Sequence, residues 1–240
     1  MKVDVMGVRF DNVTMDEALK RAEEILSRGE ACYCVTPNPE IVYEAMQDPA
    51  FCSLLNGAAL VLPDGVGVLL GARILGTPLR EKVTGVDFAA RLMPVLASKG
   101  KRLYLLGGKP GVAELAAQKM RERHPALQIC GTADGYFQEE APVVQRIREA
   151  APDVLFVCLG SPKQEYFMKA HRDELGAAMM IGLGGSLDAF AGTVKRAPAW
   201  VGRIGMEWFY RLVREPRRFK RMLRLPKFVF AVLGKRMRGK

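Results

Sequence analysis

From Gly100 to Gly185 the chain alternates short, nearly all-apolar runs with helix-forming segments, and each run leads into glycine. RLYLLGG precedes a helical stretch from Pro110, LQICGTADGYF one around Val143, DVLFVCLGSPKQE leads into YFMKAH, and AAMMIGLGG closes the series. Three successive βα units and a closing strand predict a parallel sheet. Strands without polar alternation are expected where helices cover both faces. The fold class is therefore α/β, a Rossmann-like, mostly parallel sheet flanked by helices. A glycine at a strand's carboxyl end either simply ends the strand or lets backbone N–H groups and helix amino termini approach phosphate oxygens. Four in sequence favour a nucleotide-diphosphate compound, although LGGKPG is not a full dinucleotide fingerprint and no ATP-type phosphate loop occurs.

The first hundred residues are less regular. Val3 to Arg9 alternates as one strand, and Thr14 with Glu17 forms a capping box opening a helix to about Arg28, before Gly29. Ala31 to Thr36 is a short strand. Asn38 then caps a helix beginning at Pro39, and Asp48 with Pro49 repeats that signal. Ala59 to Leu62 is a buried strand, Val66 to Leu75 a buried helix, and Thr84 with Asp87 caps a helix reaching Lys99.

Charge divides the chain in two. Of 36 Lys and Arg and 26 Asp and Glu, 15 bases and only 2 acids fall from Lys195 onward, leaving −3 on the body and +13 on the tail. We expect a catalytic body, residues 1–194, and a basic helical appendage, residues 195–240. Trp200, Ile204, Trp208 and Leu212 recur every four residues, and Phe219, Met222 and Leu223 follow an i, i+3, i+4 pattern. These predict two amphipathic helices parted near Pro216, suited to an anionic membrane surface or to packing on the body. The apolar content and lack of a nucleic-acid fold argue against nucleic acid. The tail's apolar face could alternatively hide in a homo-oligomer interface. No run is long enough to span a bilayer, and the amino terminus does not read as a signal peptide, so a cytoplasmic protein with peripheral membrane contact is expected.

The five cysteines form no C-x-x-C pair, and His124 and His171 give no zinc-ligand spacing, so no metal site is expected. Hydrolase and zinc-peptidase motifs are absent. Asp64, in PDG directly after a strand, is either a turn former or a general base at the sheet's carboxyl edge. Thr36 and Asn38 occupy the equivalent place in TPNPE; if the two strands are neighbours, all three line one rim. In SPKQE, Ser161 is a candidate cap with Pro162 at the first helical position. Lys163 then sits where a cation opposes the helix dipole unless an anion is bound, and Gln164 lies at the same mouth. Asp134 reads as a turn residue, Asp188 is a further acid near a strand end, and both histidines read as helix-end caps.

Eight ordered blocks then resemble the WecG/TagA/CpsF family of glycosyltransferases: TPNPE at Thr36, PDGVG at Pro63, EKVTGVD at Glu81, LLGGKPG at Leu105, GYF at Gly135, GSPKQE at Gly160, AGTVKRAPAW at Ala191 and GMEWFYRLVREPRR at Gly205. The resemblance implies inverting, metal-independent transfer of a sugar, N-acetylmannosamine first among candidates, from a UDP-sugar to a polyprenyl-diphosphate-linked sugar. It implies a place at the inner membrane face, in teichoic acid linkage units, enterobacterial common antigen or exopolysaccharide. It also allows a non-catalytic UDP-sugar-binding accessory subunit.

The resemblance makes Asp64 the base on the acceptor hydroxyl, beside Thr36 and Asn38, with Gln164 holding a sugar. Gly107, Gly108, Gly135, Tyr136, Phe137 and Gly160 would cradle UDP, with Lys163 near. Lys82 stands where the family commonly has arginine, keeping charge but losing the bidentate fork. Among the tail arginines Arg211, Arg214, Arg217, Arg218, Arg221 and Arg224, one or more would reach the diphosphates.

Overall fold

The computed structural model describes residues 1–194, 210 and 224–238. The chain opens with an antiparallel hairpin of β1 (Lys2–Val5) and β2 (Val8–Asp11). The single strand expected over Val3 to Arg9 is thus broken. Met6 and Gly7 both take positive φ, 57° and 96°, as a two-residue hairpin turn requires. Asp4 Oδ1 accepts the Gly7 N–H at 3.1 Å and holds that turn. Val3, Val5, Val8 and Phe10 face inward.

The capping signals act where the sequence places them. Thr14 and Glu17 close a complete capping box on α1 (Met15–Arg28), which ends at left-handed Gly29. Asn38 Oδ1 caps α2 (Pro39–Gln47), and Asp48 caps α3 (Pro49–Asn56). After β3 (Cys32–Val35) and β4 (Leu60–Val61) come α4 (Val66–Ile74) and α5 (Gly85–Ser98), the latter capped by Thr84. The repeating half supplies β5 (Arg102–Gly107), α6 (Val112–Arg123), β6 (Gln128–Ala133), α7 (Ala141–Ala150), β7 (Val154–Cys158), α8 (Lys163–Ala170), β8 (Met179–Gly182) and α9 (Ser186–Ala191). The last described helix is α10 (Arg224–Arg238).

Six strands form one parallel sheet in the order β4-β3-β8-β7-β5-β6. Within each central strand, successive residues face opposite cores. Leu103, Leu105 and Phe156 join α1, α5, α6 and α9 on one face. Tyr104, Leu106, Leu155 and Val157 join the hairpin, α2, α3, α4, α7, α8 and α10 on the other. Thus the helices after β5 and β8 cover one face, and those after β3 and β7 the other. Neighbouring loops therefore part in opposite directions along the carboxyl edge, the usual ligand site of such sheets.

Residues 224–238, counted by the sequence in the appendage, pack on the body. Phe228 and Val232 are fully buried in the core that includes α2 and α4, with the Phe228 ring against Gly71. Arg224 pairs with Glu44 on α2 at 2.9 Å and Lys235 with Asp4 at 3.5 Å. The opposite side of α10 is apolar too: Phe230 is 72% and Met237 74% exposed, with Leu233 beside them. Trp200, Trp208, Arg211, Arg214, Arg217, Arg218, Arg221 and the break near Pro216 lie outside the described residues.

Candidate active site at the carboxyl edge

The adjacency of β3 and β4 brings TPN and PDG together. The Leu62 N–H donates to Val35 O at 2.9 Å and the Asp64 N–H to Pro37 O at 3.2 Å. Asp64, half-buried, accepts the Gly85 N–H on Oδ2 at 3.0 Å, so its carboxylate sits at the amino end of the 14-residue α5, where negative charge is favoured. Gly85 also abuts Thr36, since a Cβ there would stand 2.9 Å from Thr36 Oγ1. The buried Thr36 hydroxyl donates to Gly182 O at 3.0 Å, which ties β3 to the end of β8.

Gln164 continues this line. It is 3% exposed; its Oε1 accepts the Gly184 N–H at 2.9 Å and its Nε2 donates to Glu165 Oε1 at 2.8 Å. A Cβ on Gly182 would come within 3.0 Å of Gln164 Nε2, so glycine there lets the amide lie flat against the strand end. Asp64, Gly85, Thr36, Gly182 and Gln164 are thereby linked in sequence across four strand ends. Asn38 stands on the same loop as Thr36, its Oδ1 taken by the Ile41 N–H at 3.0 Å. Lys82 is half-buried on the segment whose Val83 N–H donates to Pro63 O at 3.0 Å, next to the PDG turn.

The glycines of the second half form a backbone-to-backbone cluster. A Cβ on Gly107, at φ 129°, would fall 2.3 Å from Cys158 O, so only glycine lets β5 and β7 close up here. The Gly108 N–H points to Cys158 O at 3.4 Å and the Gly135 N–H to Gly108 O at 2.9 Å. Two N–H groups expected to face phosphate thus serve the fold. Gly160, at φ 79°, faces open space. Tyr136 is 67% exposed, on a loop braced by Asp134 Oδ1, which accepts the Tyr136 N–H at 2.8 Å. Phe137 lies half-buried between Lys163 and Phe167.

At SPKQE one expectation is corrected and a second gains another explanation. Helix α8 begins at Lys163, with Pro162 as its cap residue and no side-chain cap, so Ser161 does not cap it. Lys163 Nζ donates to Gly135 O at 3.4 Å and lies 4.1 Å from the Phe137 ring centroid. The chain itself satisfies this cation, and no bound anion is needed to account for it. His171 does cap α8, but its ring also bridges Glu140 at 2.8 Å and Glu174 at 3.1 Å, tethering the start of α7. Sequence reasoning passed over Gly85 and Glu165; the signal for each was its place within a quoted block, one residue from Thr84 and from Gln164.

Away from the rim, a cleft of about 390 Å³ opens at the amino edge. Its charged walls, Lys101 with Asp153 and Arg148 with Glu174, are already paired. Among the described residues no group of three His, Cys, Asp or Glu is placed to hold a metal ion.

Residues 3–240 match the Glycosyl transferase WecG/TagA/CpsF family. The chain belongs to that family. It is 39% identical over 208 residues to the N-acetylglucosaminyldiphosphoundecaprenol N-acetyl-beta-D-mannosaminyltransferase of Bacillus spizizenii, covering 87% of this chain and 81% of that one. The protein of the same name from Bacillus subtilis is 41% identical over 198 residues, 82% and 77% of the two chains. That of Staphylococcus aureus is 32% identical over 234 residues, 96% and 92%. This WecG/TagA/CpsF chain is thus a glycosyltransferase, matched along nearly its full length.

Proposed function

We propose that this glycosyltransferase moves an N-acetylmannosaminyl group from a UDP-sugar to a polyprenyl-diphosphate-linked N-acetylglucosamine, as in teichoic acid synthesis. The names of the relatives support this donor sugar and acceptor. The observation that carries the chemistry is the Asp64 carboxylate, anchored by the Gly85 N–H on the rim that holds Thr36 and Gln164.

In the proposed step Asp64 takes the proton of the acceptor hydroxyl. The freed oxygen attacks the anomeric carbon opposite the diphosphate, the bond to the UDP oxygen breaks, and the electron pair leaves with UDP, inverting configuration. Thr36, Asn38 and Gln164 orient the sugars. Tyr136, Phe137 and Gly160 border the donor side, with Gly107, Gly108, Gly135 and Lys163 shaping its floor. Charge building on the leaving diphosphate needs cations or oriented dipoles. We assign these to Lys82 and to Arg211, Arg214, Arg218 and Arg221 of the tail, with no metal required. Asp64→Asn is expected to abolish transfer while UDP binding persists, measured by product mass and by titration with UDP. Full transfer by this variant overturns the assignment. Full transfer to a soluble acceptor analogue by an Arg214→Ala, Arg218→Ala, Arg221→Ala variant, or loss of activity in EDTA, overturns the tail's role or metal independence respectively.

The same proposal places the enzyme peripherally on the inner face of the plasma membrane. No described helix is long and apolar enough to cross a membrane. Support comes from α10, whose outward Phe230, Leu233 and Met237 are flanked by exposed Lys227, Arg236 and Arg238. Co-sedimentation with anionic vesicles should be lost in Phe230→Glu, Met237→Glu; equal pelleting sinks this part of the reading.

A further inference from the structure

Two buried polar atoms beside the rim lack a hydrogen-bond partner among the described residues, Ser161 Oγ and Glu165 Oε2. They are neighbours, four residues apart at the start of α8, and Ser161 lies close enough to act on the carboxyl. Glu165 is 1% exposed, while its other oxygen accepts from Gln164 Nε2 at 2.8 Å. An ionised carboxylate here would be a buried charge without an ion pair among the described residues, an expensive arrangement. A proton on Oε2 removes that charge and lets the carboxyl donate to Ser161 Oγ, joining the two atoms in one bond.

We propose that Glu165 is a proton-bearing positioning residue: its carboxyl O–H donates to Ser161 Oγ, and its carbonyl oxygen accepts from Gln164, locking the amide with Oε1 toward Gly184. The inference rests on the reading above that Gln164 serves the reacting sugars. Locking matters because an amide can present either oxygen or nitrogen. With Nε2 committed to Glu165 and Oε1 to the Gly184 N–H, the remaining Gln164 N–H has one direction only.

Burial pushes the Glu165 carboxyl up from its ordinary value, opposed by the hydrogen bonds from Gln164, its own backbone and Ser161. Glu44 faces it from α2 and adds repulsion, though Glu44 is itself paired with Arg224. On its own helix, Lys163 is engaged with Gly135 and Phe137.

The test compares the full-length wild type with Glu165→Gln, Glu165→Ala and Gln164→Ala. Isotope-edited infrared spectra at neutral pH should show a protonated carboxyl band in the wild type that is missing from Glu165→Gln. Glutamine reproduces the neutral acid, one donor toward Ser161 and one acceptor for Gln164, so transfer should stay within about twofold of wild type. Glu165→Ala frees the Gln164 amide and should lower kcat by about tenfold or more, with UDP affinity kept. An ionised Glu165 at neutral pH, or a Glu165→Gln variant as slow as Glu165→Ala, overturns the inference. If Glu165→Ala misfolds, the band and the Glu165→Gln rate still decide it. Full transfer by Gln164→Ala overturns the underlying site reading, whereas a slow Gln164→Ala beside a fully active Glu165→Ala overturns the positioning role alone.

Discussion

Asp64 and Thr36 meet on opposite sides of one residue: Gly85 gives its N–H to Asp64 Oδ2 at 3.0 Å, while the place of its missing Cβ lies 2.9 Å from Thr36 Oγ1. A methyl group added at Gly85 must therefore push Thr36, or Leu183 at 3.2 Å, off the rim. Overpacking of this kind costs about 1–3 kcal/mol. Gly85→Ala should lower the unfolding temperature modestly and transfer by an order of magnitude or more. A variant with wild-type kcat/KM would show that the rim tolerates displacement.

Helix α10 offers a control within one element. Phe228→Ala opens a cavity against Gly71 in a fully buried position and should cost about 3 kcal/mol or more. Phe230→Ala, two residues on and 72% exposed, should change stability by less than about 0.5 kcal/mol. Denaturant titrations of the two variants check this directly, and equal losses would mean that α10 is docked the other way round.

His171 makes stability depend on pH. Burial lowers its pKa, but the hydrogen bonds to Glu140 and Glu174 raise it, and the net position lies above the ordinary 6.5. A raised value in the folded state means that the contribution is complete below 6.5 and fades as pH climbs through the folded-state value. Arg148, 3.7 Å from Glu174, competes for that carboxylate. His171→Gln should therefore lower the unfolding temperature at about pH 6 and much less at about pH 8.5. A gap that widens on the alkaline side would reverse the assignment.

The thiol of Cys158 sits where β7 meets Gly107, and burial pushes its pKa up to about 12. Cys34 is fully buried and likewise raised, by its hydrogen bond with Cys32 and by burial. Neither thiol should be alkylated in the native protein at about pH 8, and both should react after denaturation. Modification of Cys158 in the native protein, seen by peptide mass, would mean that the β5–β7 junction opens.

Local signals in the sequence were reliable where the chemistry is local. Thr14, Asn38, Asp48 and Thr84 each cap the helix expected of them, because a side chain bonding two or three residues ahead needs no tertiary context. The apolar strands were also legible, whereas the pairing of β3 with β4 entered the sequence reading only as a condition, which the structure meets. The insertion of β8 between β3 and β7 was not, since strand order is decided by crossovers. At the site, Thr36, Asn38, Asp64 and Gln164 come to one edge, but nothing local in SPKQE marks Glu165 as buried, because tertiary packing alone buries it. The contacts of Lys163 were hidden too: its partners, Gly135 and Phe137, belong to a loop 26 or more residues away.

The bonds crossing the rim end on main-chain atoms at Gly85, Gly182 and Gly184. Side chains here are pegs set into a backbone frame, and the frame outlasts the exchange of any one peg. A change confined to the outer loop, residues 134–140, should therefore leave the spacing from the Asp64 carboxylate to the Gln164 amide in place.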